Sequence, residues 1–149
     1  MPTFNQKMLI ILGIVVVGVL IIFAVTNLEK TSKTQNSAQD NLPSIQWTNN
    51  LDSGIVTAQE SNKLIFVDFY ADWCGYCKQL DEKTYPNENV KEVMAQKYVA
   101  VKVNVDQYPD LASKYSVYGL PTLMIMDSNG TEIKRVEGYQ SPSELLNML

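Results

Sequence analysis

Cys74 and Cys77, three positions apart, are the residues of this chain best suited to covalent chemistry, and the chain has no other cysteine. It also has no histidine. That absence removes Cys-His and Ser-His-Asp nucleophile arrangements and most catalytic zinc sites. Two thiol ligands fall short of the four that a structural zinc or an iron–sulfur centre normally takes, so no metal is expected. A lone C-x-x-C is left with thiol–disulfide exchange, which needs no cofactor. The alternative is a structural bridge, but closing so short a loop constrains the chain little.

The segments around the pair must make one sulfur reactive. Leu64 to Tyr70, LIFVDFY, is a continuous apolar, β-rich run, the pattern of a strand buried on both faces. Ala71 to Cys74 makes a turn, and Gly75 to about Thr84 reads as a helix that Tyr85-Pro86 interrupts. The cysteines therefore fall at a helix N-terminus, where unpaired N–H groups and the positive end of the dipole stabilise an anion. Such a setting lowers a thiol pKa from about 8.5 to somewhere between ~3.5 and 7.5. Cys74, in the exposed first position, is the expected nucleophile; Cys77, one turn inward, is the expected resolving thiol. Asp68, inside the apolar strand, is expected to be desolvated with a raised pKa, unless it sits at a strand end and reaches solvent.

The rest of the region alternates strand and helix. Ile45 and Trp47 open a short edge strand, and Leu51 to Asn62 is a helix capped by Asn50 or Asp52. Glu88 to Lys97 is a further helix. Tyr98 to Val105 is a strand whose valines at 99, 101, 103 and 105 alternate strictly. Pro109 to Tyr115 is a short helix with proline in its first turn. Thr122 to Met126 and Thr131 to Glu137 are strands joined by a hairpin turn at Asp127-Ser128-Asn129-Gly130, and Ser141 to Leu149 is a closing helix. Asn129-Gly130-Thr131 also matches a glycosylation acceptor, though the turn explains it better. This order predicts an α/β domain with a central mixed β-sheet flanked by helices.

Met8 to Val25 is an apolar run of 18 residues without charge. As a helix it spans roughly 27 Å, close to the ~30 Å of a bilayer core. A transmembrane anchor, a cleaved signal peptide and a buried helix compete. The length and the poor cleavage site at Ala24-Val25-Thr26 favour the anchor. Residues 26–43 are polar and short of large apolar side chains, a flexible linker. The expected organisation is a tail at 1–7, an anchor at 8–25, a linker at 26–43 and the α/β domain at 44–149. Lys7 and the terminal amine against Lys30 and Lys33 nearly tie on orientation. The absence of spare thiols suits an oxidising compartment, so a single-pass protein of the cell membrane with its domain outside the cytoplasm is expected. From Ser44 onward the chain holds 9 basic and 14 acidic residues, a net −5 without a basic cluster, which argues against nucleic acid.

Val67 to Lys78, VDFYADWCGYCK, resembles the active-site strand and helix of the thioredoxin superfamily. Lys102-Val103-Asn104-Val105-Asp106 is similar to its second core strand, Gly119-Leu120-Pro121-Thr122 to its cis-proline loop, and Gly138 falls at its late glycine. The resemblance runs from about Leu64 to Leu149 and implies a thioredoxin-like fold behind the anchor. By the same resemblance Asp68 relays a proton to or from Cys77 through water, and Lys102 modulates it unless that lysine faces solvent. Trp73 shields the cysteines unless it is a core aromatic. Pro121 is cis beside the disulfide unless it merely opens a strand. Trp73, Gly75, Tyr76, Leu120, Pro121 and Gly138 contact the substrate, with the Leu120 backbone pairing with an extended segment. Two departures stand out. No proline kinks the helix after Cys77, a pattern closer to the thioredoxin-like domains of membrane thiol:disulfide interchange proteins. The dipeptide Gly75-Tyr76 replaces Gly-Pro and also occurs in bacterial disulfide isomerases.

The function this implies is reduction or exchange of disulfides in extracytoplasmic proteins, with thiol or disulfide proteins as substrates and a membrane electron donor. An oxidase or isomerase using the same residues is the nearest alternative. A redox-inactive, membrane-tethered binding or chaperone module is the alternative from another class.

Overall fold

The computed structural model describes residues 44–149, so the expected tail, anchor and linker lie outside the described residues. Among the described residues, no helix is long and apolar enough to cross a membrane. The chain runs β1 (Trp47–Thr48), α1 (Leu51–Ser61), β2 (Leu64–Tyr70), α2 (Gly75–Gln79), a π-helical turn (Leu80–Thr84) and α3 (Glu88–Lys97). It continues through β3 (Tyr98–Asn104), α4 (Pro109–Lys114), β4 (Thr122–Met126), β5 (Glu132–Glu137) and α5 (Pro142–Met148).

The sheet order is β1-β3-β2-β4-β5. β3 runs parallel to both β1 and β2, while β4 is antiparallel to β2 and to β5, so the sheet is mixed as the element order implied. Alternation divides the central strands between two cores. Ile65, Val67 and Phe69 of β2, Val101 and Val103 of β3, and Met124 and Met126 of β4 pack with Leu51 and Ala58 of α1; Leu111 of α4 joins them. The opposite positions, Phe66, Ala100, Leu123 and Ile125, pack with Leu80, Val90 and Met94, and with Leu145 and Met148 of α5.

Caps set the helix ends. Asn50 Oδ1 accepts from Ser53 N at 2.8 Å, and Asn62 ends α1 in the left-handed region at φ 53°. Ser141 and Glu144 form a reciprocal capping box on α5. At the hairpin, Asp127 Oδ1 accepts from Asn129 N and Thr131 N, and Gly130 takes φ 80°.

Two expectations are refined. The helix expected over Gly75 to Thr84 has that extent but is α-helical only to Gln79; beyond it the turn widens, with Tyr85 N donating to Leu80 O, five residues back, at 2.9 Å. The last strand starts at Glu132, one residue later than expected, because Thr131 is spent in the Asp127 turn.

Candidate functional site

Cys74 and Cys77 are joined by a disulfide across the first turn of α2, with their Cα atoms 5.3 Å apart. Cys74 caps that helix in an extended conformation, and its Sγ accepts the N–H of Cys77 at 3.1 Å. A donor so placed would meet a Cys74 thiolate in the reduced protein. The strand-to-helix junction creates this geometry: β2 ends at Tyr70, and Cys74 N bonds back to Ala71 O at 3.0 Å. Cys74, expected to be the exposed cysteine, is 5% accessible against 2% for Cys77. Tyr70, Val105 and Leu120 pack against the pair and the buried Ala71 beside it. A surface cleft of about 290 Å³, lined by Tyr70, Ala71, Asp72, Cys77, Lys78 and Asp81, leads to Cys77.

Asp68 is wholly buried and points to the α3 side of the sheet, the strand-end alternative being excluded by its central position in β2. Its Oδ2 accepts the Tyr85 hydroxyl at 2.9 Å and lies 3.6 Å from Lys102 Nζ. Its Oδ1 has no hydrogen-bond partner among the described residues. Burial raises the Asp68 pKa to about 6; the Lys102 charge and the Tyr85 hydroxyl pull it down, and the Asp81 charge pushes it up. Burial, and then the neighbouring Asp68 charge, push the Tyr85 phenol well above its ordinary range.

Lys102 stands directly across from Asp68 in the β2–β3 register. The valines of β3 face one core, so the lysine faces the other, with its side chain 13% exposed rather than open to solvent. Asp81 forms its close ion pair. Its ammonium lies 5.2, 5.1 and 5.4 Å from the ring centroids of Trp47, Tyr70 and Tyr85. One cation is thus shared between an exposed and a buried carboxylate.

Of the expected substrate-contacting residues beyond the cysteine turn itself, Leu120 packs against the disulfide. The Leu120–Pro121 peptide is cis. Gly138 N donates to Pro121 O at 2.8 Å, and Thr122 Oγ1 donates to Gly119 O at 2.7 Å, which fixes this loop from both sides. Gly138 adopts φ 85°, a conformation that favours glycine. Trp73 is no core aromatic: it is 69% exposed, held by an Nε1 hydrogen bond to Asp106 Oδ2 at 2.9 Å. Tyr76 is 60% exposed, and beside Gly75 there is open space.

Sequence reasoning missed Tyr85, Asp81 and Trp47. A signal was present for Asp81 alone: it lies four residues after Cys77, the spacing of neighbours on one helix face. From sequence, Tyr85 reads only as part of a helix break and Trp47 only as an edge-strand residue.

Residues 51–149 match the family described as Thioredoxin-like domain. The thiol:disulfide interchange protein DsbD of Yersinia pestis is 33% identical over 114 residues, covering 73% of this chain and 18% of that protein. The chain therefore aligns with less than a fifth of that relative's length. A thioredoxin-like protein of Synechocystis, slr0233, is 36% identical over 89 residues, 60% of this chain and 81% of the relative. The solution structure of a thioredoxin from Thermus thermophilus matches with a TM-score of 0.64 at 24% identity, covering 70% of this chain and 84% of the other. That last likeness is one of fold.

Proposed function

Because the chain belongs to the thioredoxin-like domain family, we propose that it is a thiol–disulfide oxidoreductase that reduces or exchanges disulfides in protein substrates outside the cytoplasm. The observation carrying this reading is the cysteine pair at the start of α2, with the Cys77 N–H directed at Cys74 Sγ. Reduced Cys74 attacks one sulfur of a substrate disulfide, forming a mixed disulfide and releasing the other substrate sulfur as a thiolate. Cys77 loses its proton and attacks Cys74 Sγ, which breaks the mixed disulfide and frees the second substrate thiolate. The substrate gains two electrons and the Cys74–Cys77 disulfide is restored. A further turnover requires two electrons from a dithiol donor, which we assign to a membrane protein.

Asp68 is the group we assign to take the Cys77 proton through water, its raised pKa lying close to working pH. Lys102 tunes that acid, and Trp73 shields the pair from the rim. Gly75, Tyr76, Leu120, Pro121 and Gly138 flank an extended substrate segment. Membrane attachment through Met8 to Val25 rests on the length and apolar character of that run.

Insulin reduction by the full-length protein in detergent tests the activity. Cys74→Ser is expected to abolish turnover, and Cys77→Ser to accumulate a mixed disulfide that gel electrophoresis resolves. Equal turnover by wild type and Cys74→Ser would leave only a binding role. The Cys74/Cys77 potential sets the direction: a value near about −270 mV marks a reductant and one near about −120 mV an oxidant.

A further inference from the structure

The π-helical turn and the buried acid are connected by one side chain. Successive α-helical residues rotate about 100°, so Tyr85, eight residues beyond Cys77, would stand about 80° away from its face. The wide turn inserts one extra residue and takes back about 100°. This brings Tyr85 to the Cys77 side of the helix, pointing into the sheet. Its ring is buried against Trp47, with centroids 4.9 Å apart in an edge arrangement, and against Phe66 at 6.4 Å. Ring packing alone would be met by phenylalanine. The hydroxyl is the extra atom, and it ends 2.9 Å from Asp68 Oδ2.

We propose that Tyr85 is a positioning residue: its hydroxyl, delivered by the π turn, holds Asp68 through Oδ2, leaves Oδ1 to exchange the proton, and sets the pH at which Asp68 changes charge. The two oxygens of this carboxylate are unequal. Oδ2 receives the phenol and faces Lys102 at 3.6 Å, whereas buried Oδ1 has no partner among the described residues. A proton arriving at Oδ1 meets no existing donor, whereas one arriving at Oδ2 competes with the phenol and the Lys102 ammonium for that oxygen's lone pairs. Tyr85 stays protonated throughout, since both burial and Asp68 oppose its ionisation. It therefore acts only as a donor and favours the charged form of Asp68. The other charged groups around Asp68 are Lys102 from β3 and Asp81 from the π turn. From β1 the facing residue is Trp47, and from β4 it is Leu123, neither of which titrates.

This assignment rests on the proton-relay role given to Asp68, but its test does not require turnover. In the oxidised full-length protein the Asp68 carboxyl is titrated by carbon NMR, in wild type and in Tyr85→Phe. Loss of the phenol is expected to raise the Asp68 midpoint by about one pH unit, a tenfold change in proton occupancy between the two midpoints. In the reduced enzyme the pH profile of insulin reduction is expected to move in the same direction. A second measurement uses the wild type alone: the Tyr85 hydroxyl proton, sheltered from exchange, is expected to shift with the Asp68 midpoint. An unchanged midpoint in Tyr85→Phe, or a hydroxyl signal indifferent to Asp68, overturns the proposal. A moved NMR midpoint with an unmoved activity profile sustains the positioning of Asp68 and refutes its place in turnover.

Discussion

On the α1 side of the sheet, β2 presents Ile65, Val67 and Phe69, all inaccessible to solvent and packed among aliphatic and aromatic neighbours. On the α3 side the same strand presents Phe66 and Asp68, and the acid is met by Tyr85, Lys102 and, through the lysine, Asp81. One strand thus serves a core that only excludes water and a core that holds a titratable group. The first face stabilises by burial, and its contribution is independent of pH. The second gives up stability to keep a carboxyl in a place where water solvates it poorly. Variants on the two faces should therefore separate: those on the α1 side move stability alone, and those on the α3 side move its dependence on pH.

The largest effect is expected from Phe69→Ala. Phe69 is fully buried, with its ring centroid 6.0 Å from that of Tyr115. Truncating a buried phenylalanine costs about 3–5 kcal/mol. Urea denaturation at pH 5 and at pH 8 should report nearly the same loss. A loss that differs strongly between the two pH values would show that the two cores are coupled and would break the comparison.

Asp68→Asn comes next and carries the opposite sign. Below about pH 3 the Asp68 carboxyl is protonated in folded and unfolded chains alike, so it makes no difference there. As pH rises the unfolded chain releases the proton near 3.8 while the folded chain holds it to about 6, so wild-type stability falls across this window. A displacement of about two units at about 1.4 kcal/mol each puts the fall on the order of 3 kcal/mol. Asparagine retains an acceptor for the Tyr85 hydroxyl and removes the charge. The variant is therefore expected to gain on wild type as pH rises from 4 to 7, followed by denaturation at several pH values. Its insulin reduction should slow by roughly 10²-fold, the lower range for a positioned proton acceptor. A stability difference flat in pH would remove Asp68 from the role of buried, shifted acid.

How far these two faces could be read from sequence follows the same division. The alternating valines of β3 and the apolar run of β2 marked the strands and their burial, because periodicity is a local property of the chain. The cysteines, the proline loop and Asp68 were legible because each is an unusual residue in a telling segment. Tyr85 was not. Its role depends on a turn that is one residue wider than an α-helical turn, and LDEKTY carries no breaker before Pro86 to announce that widening. Lys102 was ambiguous for a related reason. Alternation said which way it faces relative to the valines, while the covering of that face by the π turn is a tertiary fact. The near-burial of Cys74 belongs to the same class, since Leu120 reaches it from a loop more than forty positions away.

The smallest effect tests whether the α1 face really is indifferent to pH. Gly54 lies on α1 where a Cβ would come 2.6 Å from Val101 Cγ2 on β3. Two effects oppose each other in Gly54→Ala. Replacing a mid-helix glycine gains about 0.8–1 kcal/mol in helix propensity. Overpacking a tight contact costs about 1–3 kcal/mol, and Val101 is wholly buried and β-branched, so it has little freedom to rotate away. The clash should prevail, leaving a net loss of up to about 2 kcal/mol by urea denaturation that is equal at pH 5 and pH 8. Gly54→Ser should lose more, because it adds a hydroxyl at the same crowded point. A stabilised Gly54→Ala would mean that α1 can lift off β3 without loss, and the apolar face would then be looser than its packing implies.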